Sequence, residues 1–166
     1  MSKTNTVLKA AVVCAAVGMG LLSMTASAKD VVKIAFVGPL TGGVSSIGLG
    51  GRNSADLAVR LRNADPKSKY TYQLVTQDDE CRPNVGVQVA TKVAADKSIV
   101  AGVTHFCSAV AMGTVGVYSR FGLPVIVWGA VLPEITYGND FKEVHRVNGT
   151  MTVSYTHLTL PTTPYV

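Results

Sequence analysis

The feature that most constrains this chain is an alternation. Short β-branched runs are each followed by a stretch with helical apolar spacing. Residues 31–37 (VVKIAFV) end at Gly38-Pro39, and 70–76, 99–103 and 124–128 (PVIVW) are runs of the same kind. The intervening stretches 52–63, 83–95 and 109–121 space their apolar residues as amphipathic helices do. In the first, Ala55, Leu57, Ala58 and Leu61 are the expected apolar positions. Asp65-Pro66 and Gly122 act as stops. Residues 143–147 offer a fifth strand. Strands that read as continuous Val/Ile runs are buried on both faces. The expected fold class is therefore α/β: a parallel, doubly wound, Rossmann-like sheet with helices on both faces. Its ligand edge lies at the C-terminal ends of the strands.

The chain has 166 residues, of which 48% are hydrophobic, enough for a packed core and too apolar for disorder. Part of that apolarity sits in residues 1–28. A start carrying Lys3 and Lys9, an uncharged apolar run over 10–22, and the end Ala26-Ser27-Ala28 have the form of a secretory signal peptide cut before Lys29. The alternative is a membrane anchor, but a run of about 13 residues is short of the roughly 20 that a span requires. Cys14 lies in a poor lipobox. Without Lys3 and Lys9 the charge is 13 basic against 10 acidic residues, scattered, so nucleic acid is not an expected partner. Cleavage leaves two cysteines, Cys81 and Cys107. An even count in an exported chain favours a disulfide, with two buried thiols as the alternative.

The tail is out of pattern. Residues 153–162 (VSYTHLTLPT) resemble the conceptual translation of a transposase sequencing adapter. Residues 153–166 are thus expected to be a non-native tail, against the alternative of a genuine short terminus.

Chemical motifs are few. The Gly-rich segment 38–51, read as a flexible strand-to-helix loop, fits neither the Walker pattern nor the dinucleotide fingerprint, since Asn53 stands where a third Gly is needed. His105 and His145 have no metal-ligand spacing and are expected to be partly buried structural residues. Asp78, Asp79 and Glu80 are expected to cap the helix at Pro83 and to face solvent. There is no nucleophile elbow, and Ser108 has no evident base, so neither catalysis, a metal nor a cofactor is expected. Ser108 stands where the third strand passes into the third helix. There it is expected to be an N-cap beside main-chain amides at the positive helix end, a place suited to a carboxylate.

Residues 32–39 with Thr41-Gly42, Asp78-Asp79-Glu80-Cys81-Arg82-Pro83, His105-Phe106-Cys107-Ser108, and Gly122-Leu123-Pro124 with Gly129-Ala130 together resemble the leucine/isoleucine/valine-binding proteins of bacterial ABC transporters. The resemblance spans about residues 31–150. It implies a type I periplasmic binding fold of two α/β lobes closing on a ligand, in a protein more than twice the present mature length. Residues 29–152 would be the first lobe. It also implies a monomeric periplasmic protein that hands an amino acid to a membrane permease, and a Cys81–Cys107 disulfide. The residue matching Ser108, next to Cys107, would hold the ligand carboxylate. The carbonyl of Ala130, after Gly129, would take the α-ammonium. Two positions depart from the family pattern: Val131 replaces a usual Thr, and Ile47 replaces an often aromatic residue. Amides, urea or aromatic acids are alternative ligands, and a ligand sensor of the same fold is the alternative role. Trp128 is read evenly as cleft wall or core.

Overall fold

The computed structural model describes residues 29–152. The signal-peptide and adapter-tail assignments lie outside the described residues. The chain runs β1 (Val31–Gly38), α1 (Ser45–Ala64), β2 (Thr71–Asp78), α2 (Pro83–Ala95), β3 (Ile99–Thr104), α3 (Ser108–Phe121), β4 (Val125–Val127), a 3-10 turn (Pro133–Ile135) and β5 (Val144–Arg146). The five strands form one parallel sheet in the order β2-β1-β3-β4-β5. The chain leaves β1 toward β2 on one side and crosses back to β3 on the other. The order therefore reverses at β1/β3, and the loops at that point open a crevice at the C-terminal edge.

Strand alternation sorts the side chains. Ala35 and Val37 join the main core with Ala90, Val93 and Ala94 of α2, Ala111, Val115 and Tyr118 of α3, and Val125 and Val127 of β4. Phe36, between them in sequence, points to the opposite face, where Trp128 lies 5.8 Å from it. That face carries α1. Gly122 ends α3 in the left-handed conformation at φ 67°, and the Leu123 amide donates to the Tyr118 carbonyl, closing the last turn.

Helix α1 departs from expectation in two respects. It begins at Ser45, so half of the expected Gly-rich loop is helical, and Ile47 lies in its first turn. It is also rotated. Leu57 and Leu61 are 50% and 64% exposed, and the inner face runs instead through Gly48, Gly51 and Ala55. Close approach explains both. A Cβ on Gly48 would fall 1.8 Å from the Pro39 carbonyl oxygen, and one on Gly51 would meet the Trp128 ring at 2.9 Å. The glycines weaken helix propensity but let α1 sit directly on the β1 loop and the indole.

Candidate functional site

The loops that follow β1, β2, β3 and β4 converge at the C-terminal edge. Cys81 in the β2 loop and Cys107 at the β3–α3 turn form a disulfide with Cα atoms 5.5 Å apart. Ser108 is the first residue of α3 rather than its cap. The N-cap is Cys107, and no side chain caps that helix. The Ser108 hydroxyl faces across to the β4 loop, where its Oγ accepts from the Val131 amide at 3.1 Å. The reason is geometric: a residue that already has helical dihedrals cannot turn its hydroxyl back to the amides of its own first turn.

The β4 loop is fixed from several sides. Gly129 and Ala130 both donate main-chain N–H to the His105 carbonyl at 3.3 Å. Gly129 lies against Phe106, where any Cβ would meet the ring at 2.6 Å. Trp128 stacks between Phe36 and Phe106, with ring centroids 5.8 and 5.5 Å away, and donates Nε1–H to the Val37 carbonyl. Its ring is thus spent on packing beneath α1. The Ala130 carbonyl accepts from Arg146 Nη1 at 3.3 Å and from Asn148 Nδ2 at 3.1 Å. Arg146 also donates to the Leu132 carbonyl at 2.6 Å. Burial pulls its guanidinium below the ordinary value, with Tyr137 acting the other way.

The structure thus brings Cys107, Ser108, Gly129, Ala130 and Val131 into one group. Ile47 reaches the same edge of the sheet from the start of α1, 45% exposed, without a hydrogen bond to that group. Among the described residues no three His, Cys, Asp or Glu side chains come together as metal ligands.

The acidic triplet and the histidines differ from expectation. Only Glu80 faces solvent, paired with Arg82, and none of the three caps α2. Asp78 ties the β1 loop down, accepting from Thr41 Oγ1 at 2.6 Å and from the amides of Leu40 and Glu80. Partial burial would raise its carboxyl, but those hydrogen bonds hold it below the ordinary value. Asp79 is fully buried. Its Oδ2 lies 2.8 Å from His105 Nδ1, and its Oδ1 accepts from the Cys81 amide. His105 is also fully buried, and its Nε2 lies 3.0 Å from the Tyr118 hydroxyl. Burial first, then the Asp79 charge, pushes the Tyr118 phenol well above its ordinary value. His145, by contrast, is exposed. Among the described residues, the only non-glycine residues with positive φ are Glu80, Cys81 and His105, at 52°, 56° and 47°. Cys81 is half of the disulfide and the other two lie within two residues of a bridged cysteine, so backbone strain gathers there.

Sequence reasoning missed this Asp79–His105–Tyr118 chain, although one signal was present. Asp79 stands two residues before Cys81, and His105 two before Cys107. A disulfide between those cysteines puts the acid and the imidazole on neighbouring loops, and in this structure they meet.

A family model described as periplasmic binding protein matches residues 31–165. The chain belongs to the periplasmic binding protein family. Among curated relatives, the leucine-, isoleucine-, valine-, threonine- and alanine-binding protein of Pseudomonas aeruginosa is 33% identical over 123 residues, covering 74% of this chain and 32% of that one. The Leu/Ile/Val-binding protein of Escherichia coli K12 is 33% identical over 128 residues, covering 76% and 34%. The chain spans about a third of the length of these relatives. Among solved structures, a Streptococcus pneumoniae branched-chain amino acid transporter substrate-binding protein in complex with isoleucine aligns with TM-score 0.67 at 21% identity, covering 73% of this chain and 34% of that one. A Rhodopseudomonas palustris solute-binding protein in complex with 4-hydroxybenzoate aligns with TM-score 0.63 at 18% identity, covering 74% and 33%. Both alignments match the parallel five-stranded α/β sheet described above to the type I periplasmic binding fold.

Proposed function

We propose that this chain is the first lobe of the substrate-binding component of a bacterial ABC uptake transporter. In this reading it is a periplasmic capture protein without catalytic chemistry that closes on a small branched-chain amino acid and presents it to the permease. The observation that carries the reading is the Ser108–Val131 contact. A hydroxyl at the positive end of α3, braced by the Cys81–Cys107 disulfide, faces the β4 loop across the open edge of the sheet. A ligand carboxylate there would meet the hydroxyl and the free main-chain amides of the first turn of α3. The 33% identity to proteins named for leucine, isoleucine and valine supports the ligand class. Ile47 would line the side-chain pocket, and Gly129, Ala130 and Val131 would form its floor.

The test is calorimetry on the complete protein with leucine, isoleucine and valine. Tight binding of at least one is expected. Loss of a hydrogen bond to a charged carboxylate costs about 1.5–3 kcal/mol. Ser108→Ala should therefore weaken binding about ten- to hundred-fold. Unchanged affinity in that variant removes Ser108 from the site.

One observation favours a second ligand class. The Ala130 carbonyl, the acceptor that an α-ammonium would use, already holds two donors, one of them the Arg146 guanidinium. Val131 has no hydroxyl to add. A carboxylate without an α-ammonium, such as the 4-hydroxybenzoate held by the solved relative of this fold, meets no such competition. Titration of 4-hydroxybenzoate beside leucine separates the two classes.

A further inference from the structure

We propose that His105 is the positioning residue of the ligand edge, acting in a single tautomer, with Nδ1 protonated and Nε2 bare, that Asp79 and Tyr118 select. The placing of Ser108 as a ligand group rests on the functional reading above; the tautomer and the bracing of the β4 loop do not.

The tautomer follows from satisfying every buried polar atom. The Tyr118 hydroxyl is fully buried, and among the described residues its only partner is His105 Nε2. A bare Nε2 accepts that hydroxyl hydrogen, which leaves the proton on Nδ1 to donate to Asp79 Oδ2. A proton on Nε2 would instead leave Nδ1 and the Asp79 carboxylate facing each other as two acceptors, and would strand the phenol hydrogen in the core.

The main chain of His105 then joins three strand ends. Its N–H donates to the Val37 carbonyl of β1, and its carbonyl accepts from Gly129 and Ala130 of the β4 loop. His105 makes both links with φ at 47°, in the left-handed region. The side chain, clamped on both ring nitrogens, holds that conformation. The next residues are Phe106, against which Gly129 packs, and Cys107, which leads into Ser108. The ring therefore fixes the carbonyl, the carbonyl fixes the β4 loop, and the loop presents the Val131 amide to Ser108.

Nitrogen-15 NMR of the imidazole at pH 7 tests the tautomer on the unmodified protein. A protonated Nδ1 with an unprotonated Nε2 is expected, and an Nε2–H form or an imidazolium overturns the proposal. Amide hydrogen exchange tests the positioning. In Asp79→Asn, exchange at Gly129 and Ala130 should accelerate about ten-fold or more while Ala35 and Val37 in β1 keep their wild-type rates. Equal acceleration at all four sites would mean general destabilisation and would overturn it, as would no change. Tyr118→Phe, which keeps the ring packing, should show the same local pattern more weakly and serves if Asp79→Asn does not fold. In the complete protein, Asp79→Asn should weaken the ligand that Ser108→Ala weakens. If no amino acid or aromatic carboxylate binds the wild type, the functional reading fails while the tautomer and exchange results still decide this proposal.

Discussion

Ser108 shows how a residue's role depends on a partner far from it in sequence. Read locally it is an N-cap, but the amide it serves belongs to Val131, 23 residues on. Asp78 is similar. It looks like one of three solvent acids, yet it ties down the β1 loop through Thr41, Leu40 and Glu80. Its carboxyl is held below the ordinary range. A depressed folded-state value means that the stability it contributes is present in full above the unfolded carboxylate range, about pH 4. That contribution is lost as pH falls through the lower folded value. Asp78→Asn should therefore flatten the acid limb of the stability curve below about pH 4 and lower stability at pH 7, as read by urea unfolding at several pH values. An acid limb identical to wild type would show that the hydrogen bonds to Asp78 carry no such weight. The acidic run before Pro83 was legible, but the sequence pattern ended the second strand at residue 76, and Asp78 in fact closes β2. Its partners were not legible either, because the β1 loop meets it only once β1 and β2 have paired.

At the scale of elements, the sequence pattern located the five strands and three α-helices of the described residues, and α2 matches to the residue at Pro83–Ala95. β-branched runs and a Pro at the first helical position are local signals, and local signals survive folding. The start of α1 was lost because its glycines read as a loop until Pro39 and Trp128 supply the surface they pack on. The same contact makes one helix respond in opposite directions to one kind of change. A Cβ on Gly50 meets nothing within 4 Å, so Gly50→Ala should stabilise by up to about 1 kcal/mol through helix propensity. Gly48→Ala gains the same propensity but drives a methyl into the Pro39 carbonyl. It should destabilise by about 1–3 kcal/mol as α1 is pushed off the sheet. Urea midpoints of the two variants should move apart. If both rise, α1 does not press on the β1 loop as described.

For the molecule as a whole, the ligand edge depends on how the loops after β2 and β3 are joined. These loops approach each other across the end of β1, since β1 lies between β2 and β3 in the sheet. Among the described residues no backbone ladder links them directly. Two devices do: the Cys81–Cys107 disulfide, and the buried Asp79–His105 pair two residues before each cysteine. The disulfide closes a loop with a sequence separation of 26, which in the chain-entropy model stabilises the fold by about 3–4 kcal/mol. Set against the roughly 5–15 kcal/mol that typical domains possess, that share is large enough to read directly. Reduction, or the double change Cys81→Ala with Cys107→Ala, should lower the urea midpoint by about 1–4 M for an m-value near 1–3 kcal/mol/M. The Asp79–His105 pair uses neither sulfur, so the reduced protein should still fold, with its β4 loop held, at low urea. A midpoint unmoved by reduction would mean that the hydrogen bonds alone hold the two loops. Complete unfolding on reduction in the absence of urea would mean that the sulfur bridge alone does.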